Sequence, residues 1–192
     1  MDVMEAIKTR RSIGKFKDEK VPKELIEKVI EAATFAPNRY ITEPWRFFVI
    51  SGDGRRALSR LMEDIALDSG IDPNSEEGKK NIEKQKDKPF RAPVIIAVAA
   101  EVTEDKKVIR LEELGATYAA IQNMLLAAHS LGLSSYWKTG KACYSNKMKE
   151  FFGLKSKDEV LALIYLGYPN AKKAMVRRKS ADSLTKWIES DI

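Results

Sequence analysis

The stretch from Glu112 to Leu131 places the first constraint on any fold for this chain. Leu114, Ala116, Tyr118, Ala119, Ile121, Met124, Leu125, Leu126 and Ala127 give it the look of one long helix with no clearly polar face. Such a helix has to be covered from several sides, and a subunit interface is one way to achieve that. At 192 residues, the chain is long enough to build one domain with a real core around it and too short for two ordinary domains.

The elements around that helix are short. Val3, Met4, Ala6 and Ile7 predict an amphipathic helix over 2–10. Pro22 is expected at the first position of a second helix with a buried stripe of Leu25, Ile26, Val29, Ile30 and Ala33. Pro37 biases Ala36 away from helical backbone and ends it. Residues 46–51 read as a strand, and Asp53 as the cap of a helix over 54–67. Residues 93–100 are apolar on both faces, as in a central strand. Residues 134–139 and 159–166 read as further strands with a short helix over 146–152 between them. Strands and helices do not alternate as β-α-β units, so the fold class is α+β: a mixed or antiparallel sheet flanked by helices. One domain spans 1–192, and residues 170–192 form a polar tail in which Trp187 is an aromatic anchor for docking on its own domain or a partner.

One Cys (Cys143) and one His (His129) rule out an intrachain disulfide and the usual zinc or iron–sulfur ligand sets. No catalytic side chain stands out, so difficult chemistry would belong to a bound organic cofactor. The 12 N-terminal residues show no secretory signal, and the apolar stretch 94–100 is far short of a bilayer span. A cytoplasmic protein with no membrane partner is expected. The net charge of +6 is uneven: residues 1–60 hold 13 Lys/Arg against 9 Asp/Glu, and residues 171–192 hold 6 against 3. An anionic ligand, a nucleic-acid backbone or ordinary solubility would each account for basic ends. Residues 72–91, with 6 basic and 5 acidic side chains, read as a solvated helix or a lid.

Gly52-Asp53-Gly54-Arg55-Arg56-Ala57 matches the dinucleotide pattern G-x-G-x-x-A between a strand and a helix. The polar stretch 72–91 follows where a second parallel strand would be required, so the motif reads as a turn and not as a Rossmann loop. Arg10-Arg11-Ser12, with Lys15 close behind, suits a phosphate dianion, although a basic helix end is also a favourable dipole partner. Four other stretches follow in order: Ala36-Pro37-Asn38-Arg39 with Glu43-Pro44-Trp45-Arg46-Phe47; Leu131-Gly132-Leu133 with Trp137 and Gly140; Val160 through Gly167-Tyr168-Pro169; and Arg177-Arg178-Lys179. Together, over almost the whole chain, these stretches resemble the nitroreductase family of flavin mononucleotide (FMN) enzymes.

That resemblance implies a nitroreductase-like α+β homodimer, with the long helix at the dimer interface and two FMN sites between the subunits. It further implies hydride uptake from NADH or NADPH and electron delivery to nitroaromatics, quinones or similar small acceptors in two half-reactions. Arg10, Arg11 and Ser12 match the Arg-Arg-Ser that holds the FMN phosphate and ribityl chain. Trp137, Lys138 and Thr139 fall where a strand lines the flavin, and a cation at Lys138 would stabilise a reduced, anionic ring. Arg178, or else Arg177, matches the tail position that closes on the phosphate, and Arg39 the position that reaches the flavin from the other subunit. Asn38 and Glu43 belong to the same loop as Arg39. Three departures stand out: Gly14 where many members carry Arg, Ile41 where Asn makes a polar flavin contact, and Glu43 in place of Gln. His129 reads as a dipole or surface contact, Cys143 as an unreactive thiol, and Trp45 and Phe47 as core. Trp137 is open between core and flavin, and Tyr40 between the ring face and the interface. A flavoprotein without turnover is the alternative within this class. A basic nucleic-acid-binding module is the alternative outside it, and no helix-turn-helix or stacking-sheet signature accompanies its charge.

Overall fold

Four strands form one antiparallel sheet in the order β1-β2-β4-β3, with β1 at Trp45–Ser51, β2 at Val94–Ala100, β3 at Ser134–Lys138 and β4 at Glu159–Gly167. This is seen in a computed structural model that describes residues 1–172, 174 and 176–190. Lys173, Met175, Asp191 and Ile192 of the expected docking tail lie outside the described residues. β2 is buried along its whole length, which its uninterrupted Val-Ile-Ile-Ala-Val-Ala-Ala composition anticipates.

The sheet separates two cores. On one face, Val94, Ile96, Val98, Ile164 and Leu166 meet α2 (Lys23–Thr34) and the long α5 (Arg110–Ser130) through Ile26, Val29, Ile121, Met124 and Leu125. On the other, Ile95, Ala97, Leu163 and Tyr165 meet Leu58, Leu61 and Met62 of α3 (Gly54–Asp68) and Met148 of α6 (Asn146–Phe151). The period-2 alternation of β2 and β4 thus feeds both layers at once. α1 (Val3–Thr9) is capped by Asp2, whose carboxylate accepts from the Glu5 N–H at 3.0 Å.

Some local expectations are revised. Asp53 sits at the N-cap position of α3 but makes no side-chain cap bond; its carboxylate pairs instead with Arg56 at 3.2 Å. Its helical backbone (φ −69°, ψ −19°) takes the side chain away from the orphan N–H groups. Pro22 stands just outside α2, with ψ 142°, and not at its first residue. The polar stretch 72–91 is a helix, α4 (Glu76–Lys86), followed by a 3-10 turn at Lys88–Arg91. α5 buries Glu113 and Thr117 among its apolar residues, whereas Leu111 and Tyr118 are exposed in the protomer.

The segment after α1 reaches across the β3 edge. Ser12 bridges Ser135 in parallel, the Ile13 N–H donates to the Ser135 carbonyl at 3.2 Å, and Phe16 bridges Pro169. Among the described residues, no helix is long and apolar enough to cross a membrane.

Candidate functional site

The bridge between Ser12 and Ser135 draws Arg10 and Arg11 over the C-terminal end of α5. A cleft of about 490 Å³ opens there, bordered by Arg10, Arg11, Ile13, His129, Ser134, Ser135 and Lys172. Gly132, also on its wall, takes φ +79° and ends α5 with the Leu133 N–H donating to the Ala128 carbonyl at 2.9 Å. No carboxylate borders this cleft among the described residues.

Burial first, and then the like charges of Arg11 and Arg178, lower the pKa of the Arg10 guanidinium from its ordinary value. Arg10 stays cationic all the same. The front of the chain and its tail therefore bring positive charge to one place, and Arg178 is the tail arginine that acts on Arg10. Arg177 is exposed and has no such described interaction with Arg10. Arg11 donates through Nη1 to the Lys8 carbonyl at 2.8 Å and the Arg10 carbonyl at 2.7 Å. It thus serves the carbonyl end of α1, as a favourable dipole partner does, while bordering the cleft.

His129 Nε2 lies 2.8 Å from Thr9 Oγ1, and Thr9 Oγ1 donates its own proton to the Glu5 carbonyl at 2.7 Å. The hydroxyl can then only accept, which places a proton on Nε2. Burial, followed by the Arg10 charge, lowers the His129 pKa.

The other expected residues lie in two further places. Along β3, Trp137 packs toward α5, stacked on Tyr118 at 5.9 Å between centroids, and its Nε1–H is buried with no acceptor among the described residues. Lys138 faces the opposite side, its Nζ 4.5 Å from the Tyr136 ring centroid, and Thr139 is exposed. A Cβ at Gly14 would stand 2.8 Å from Tyr136 Cδ2, so Tyr136 fills the space where a longer side chain at 14 would begin.

Asn38, Arg39 and Glu43 sit at the other end of α5. Asn38 Oδ1 accepts from the Glu43 N–H at 2.9 Å and the Thr42 hydroxyl at 3.2 Å, so this side chain organises its own loop. The loop holds Ile41 at φ +51° and Glu43 at φ +45°, strained backbone for non-glycine residues and most of all for a β-branched one. Arg39 pairs with Glu112 at 3.2 Å and lies over the Tyr40 ring at 5.1 Å. Glu112 and His129 are 17 residues apart on one helix. At 1.5 Å per residue, about 25 Å separates Arg39 from the Arg10 cleft within a protomer.

Sequence reasoning did not single out Thr9, Ser134 and Ser135 around the cleft, or the carboxylates of Glu113 and Asp158. Glu113 accepts from the Thr103 N–H at 2.8 Å, and Asp158 accepts from the N–H groups of Val102 at 3.0 Å and Lys155 at 2.8 Å. Small polar residues opening a strand were the available signal for the serines; charged letters on a helix or in a turn gave none for the buried acids.

A four-stranded antiparallel sheet packed on a long core helix, with a basic cleft at its β3 edge, defines the chain as an α+β protein. Residues 7–168 match the nitroreductase family, and the chain belongs to that family. It is 34% identical over 172 residues to YdjA of Escherichia coli K12, which carries a provisional NAD(P)H nitroreductase name; the match covers 90% of this chain and 91% of YdjA. Among solved structures, a nitroreductase-like family protein from Bacillus cereus aligns with a TM-score of 0.83 and 28% identity, covering 99% of this chain and 97% of that one. A provisionally named nitroreductase from Desulfovibrio desulfuricans, solved in complex with FMN, aligns with a TM-score of 0.70 and 28% identity over 99% of both chains.

Proposed function

We propose that this protein is an FMN-dependent oxidoreductase that takes electrons from NADH or NADPH and passes them to small acceptors such as nitroaromatics or quinones. The observation that carries the reading is the pair Arg10 and Arg11 on a cleft bordered by no carboxylate among the described residues, with Arg178 near enough for its charge to act on Arg10. Gathering guanidiniums costs free energy through mutual repulsion, and a phosphate dianion removes that cost while accepting paired hydrogen bonds. The donor set therefore fits the phosphate of FMN, and the D. desulfuricans relative bound to FMN supports it. Bound FMN would supply a two-electron relay between donor and acceptor.

In this reading the chain's own residues bind and orient. Arg10, Arg11, Arg178 and Ser12 hold the phosphate and ribityl end, and Trp137 offers its unpartnered indole N–H to the ring system. Lys138 adds positive charge beside that strand. Arg39 lies too far along α5 to serve the same protomer's cleft, which supports a homodimer in which it serves the other subunit. The donor and the acceptor then use the site in turn, a ping-pong order.

The test is an absorbance spectrum of the purified protein with added FMN, before and after anaerobic NADH or NADPH. A bound flavin spectrum that bleaches on addition of the nicotinamide supports the oxidoreductase. A flavin that binds but stays oxidised points to the alternative without turnover, and failure to bind FMN refutes the proposal.

A further inference from the structure

At the opposite end of α5 from the Arg10 cleft, another cleft of about 520 Å³ opens between the end of β2, the turn before β4 and the loop that leads into β1. Glu113 of α5 stands in its wall and is 1% exposed. Its Oε2 accepts from the Thr103 N–H at 2.8 Å, while Oε1 is buried with no hydrogen-bond partner among the described residues. The other acids on the wall are already matched. Asp158 accepts at both oxygens from the backbone N–H groups of Val102 and Lys155, Glu101 pairs with Arg46 at 2.7 Å, and Glu104 pairs with Lys157 at 2.8 Å. Lys155 is the remaining base, and it is exposed.

A buried carboxylate oxygen left without a donor is unfavourable, and whatever satisfies it must bring an N–H or O–H. The charge on the walls decides which. Four acids face three bases there, so one negative charge is left over, and the oxygen without a partner belongs to an acid that no base on the wall pairs with. Water supplies a donor but no charge, and an anion supplies neither. Among the described residues, no group of three or more acidic, His or Cys side chains could hold a metal ion, so a bare divalent cation lacks its ligand set. Because Oε2 is already engaged, the fork of a guanidinium finds one oxygen where it needs two. A primary ammonium is a compact charge whose donors radiate from one nitrogen, which suits a single recessed oxygen. The volume of the cleft falls among small-ligand sites, which run from about 300 to about 1,000 Å³.

We propose that this cleft is a binding site for a small organic ammonium ion, with a primary ammonium group seated on Glu113 Oε1 and the rest of the molecule lying along the cleft. At 1.5 Å per residue, the 16 residues from Glu113 to His129 put it about 24 Å from the Arg10 cleft. The two clefts select opposite charges. The inference does not depend on the oxidoreductase reading, since it uses no residue assigned there to the flavin.

The experiment titrates n-butylammonium chloride into the isotopically labelled full chain at about pH 7.5, where a primary amine is charged, and follows the backbone amides by NMR at constant ionic strength. Butanol is the neutral control and potassium chloride the simple-cation control. Saturable shifts at the Val102, Thr103 and Lys155 amides are expected with butylammonium and with neither control. In Glu113→Gln, which keeps an acceptor and removes the charge, affinity should fall about tenfold or more. Lys155→Gln removes a like charge from the cleft and should tighten binding about twofold. This exposed substitution decides the matter should Glu113→Gln fail to fold. Equal responses to butylammonium and butanol would leave the oxygen to water and overturn the proposal, and saturation by potassium would replace the organic ligand with a bare cation. Unchanged affinity in folded Glu113→Gln overturns it as well, as does unchanged or weaker binding in Lys155→Gln.

Discussion

Arg10 stands where the free energy of the apo and the loaded protein pull in opposite directions. Replacing it with Gln removes repulsion toward Arg11 and Arg178 but also a charge-assisted phosphate bond of about 1.5–3 kcal/mol. FMN affinity is therefore expected to fall about 10- to 100-fold, while the flavin-free variant unfolds at an unchanged or higher temperature; fluorescence titration and thermal melts check the two halves separately. Cys143 and Tyr165 make a different prediction. Burial raises the Cys143 thiol from 9.0 to about 12 and, with it as the leading cause, the Tyr165 phenol from 10.0 to about 12. Both folded values lie above the unfolded ones, so their contribution is fully present below about pH 9 and is lost as pH rises toward 12. Urea midpoints measured from pH 7 to 11 should fall across that window, and less steeply in Cys143→Ala. At pH 8 a thiol reagent should label Cys143 only as the protein unfolds.

At the scale of elements, tight backbone approaches matter more than propensity. A Cβ at Gly78 would lie 1.8 Å from the Asp72 carbonyl oxygen, in the turn that leads into α4. Gly78→Ala gains up to about 1 kcal/mol of helix propensity but forces that turn away, with overpacking costs of about 1–3 kcal/mol. Net destabilisation is the expected result in chemical denaturation, because a backbone carbonyl has no rotamer into which to retreat. Asp158 ties the end of β2 to the start of β4 through two backbone N–H groups. Asp158→Ala leaves both without their acceptor, at about 1–3 kcal/mol for each donor that stays buried, whereas Asp158→Asn keeps one acceptor oxygen and should cost less. The same denaturation curves separate the two variants.

For the molecule as a whole, the open question posed by α5 is what covers Leu111 and Tyr118. In a homodimer they would be covered by the partner, and Arg39 would be brought to the other subunit's cleft. Size-exclusion chromatography with light scattering should then give twice the 21.7 kDa chain mass. The melting temperature should also rise with protein concentration, since dissociation is part of unfolding. A monomer with a concentration-independent melt would contradict this arrangement.

Much of this protein was legible in its residue order. The all-apolar run of β2, the stripe of α2 and the nearly unbroken apolar surface of α5 marked those elements, because period and burial are local properties of a segment, and their order, without β-α-β alternation, gave the α+β class. The Arg-Arg-Ser and Pro-Trp stretches gave the family, which the match over residues 7–168 established. Other features depend on where distant segments meet. Asp53 looked like a cap and is an ion-pair partner; Glu113, which nothing in the residue order singles out, is buried against the Thr103 N–H. The convergence of Arg10 with Arg178 joins groups far apart in the chain. Periodicity tells which face of an element is buried. Only the tertiary structure decides which charges share a cleft, because electrostatic coupling depends on separation in space and not on distance along the chain.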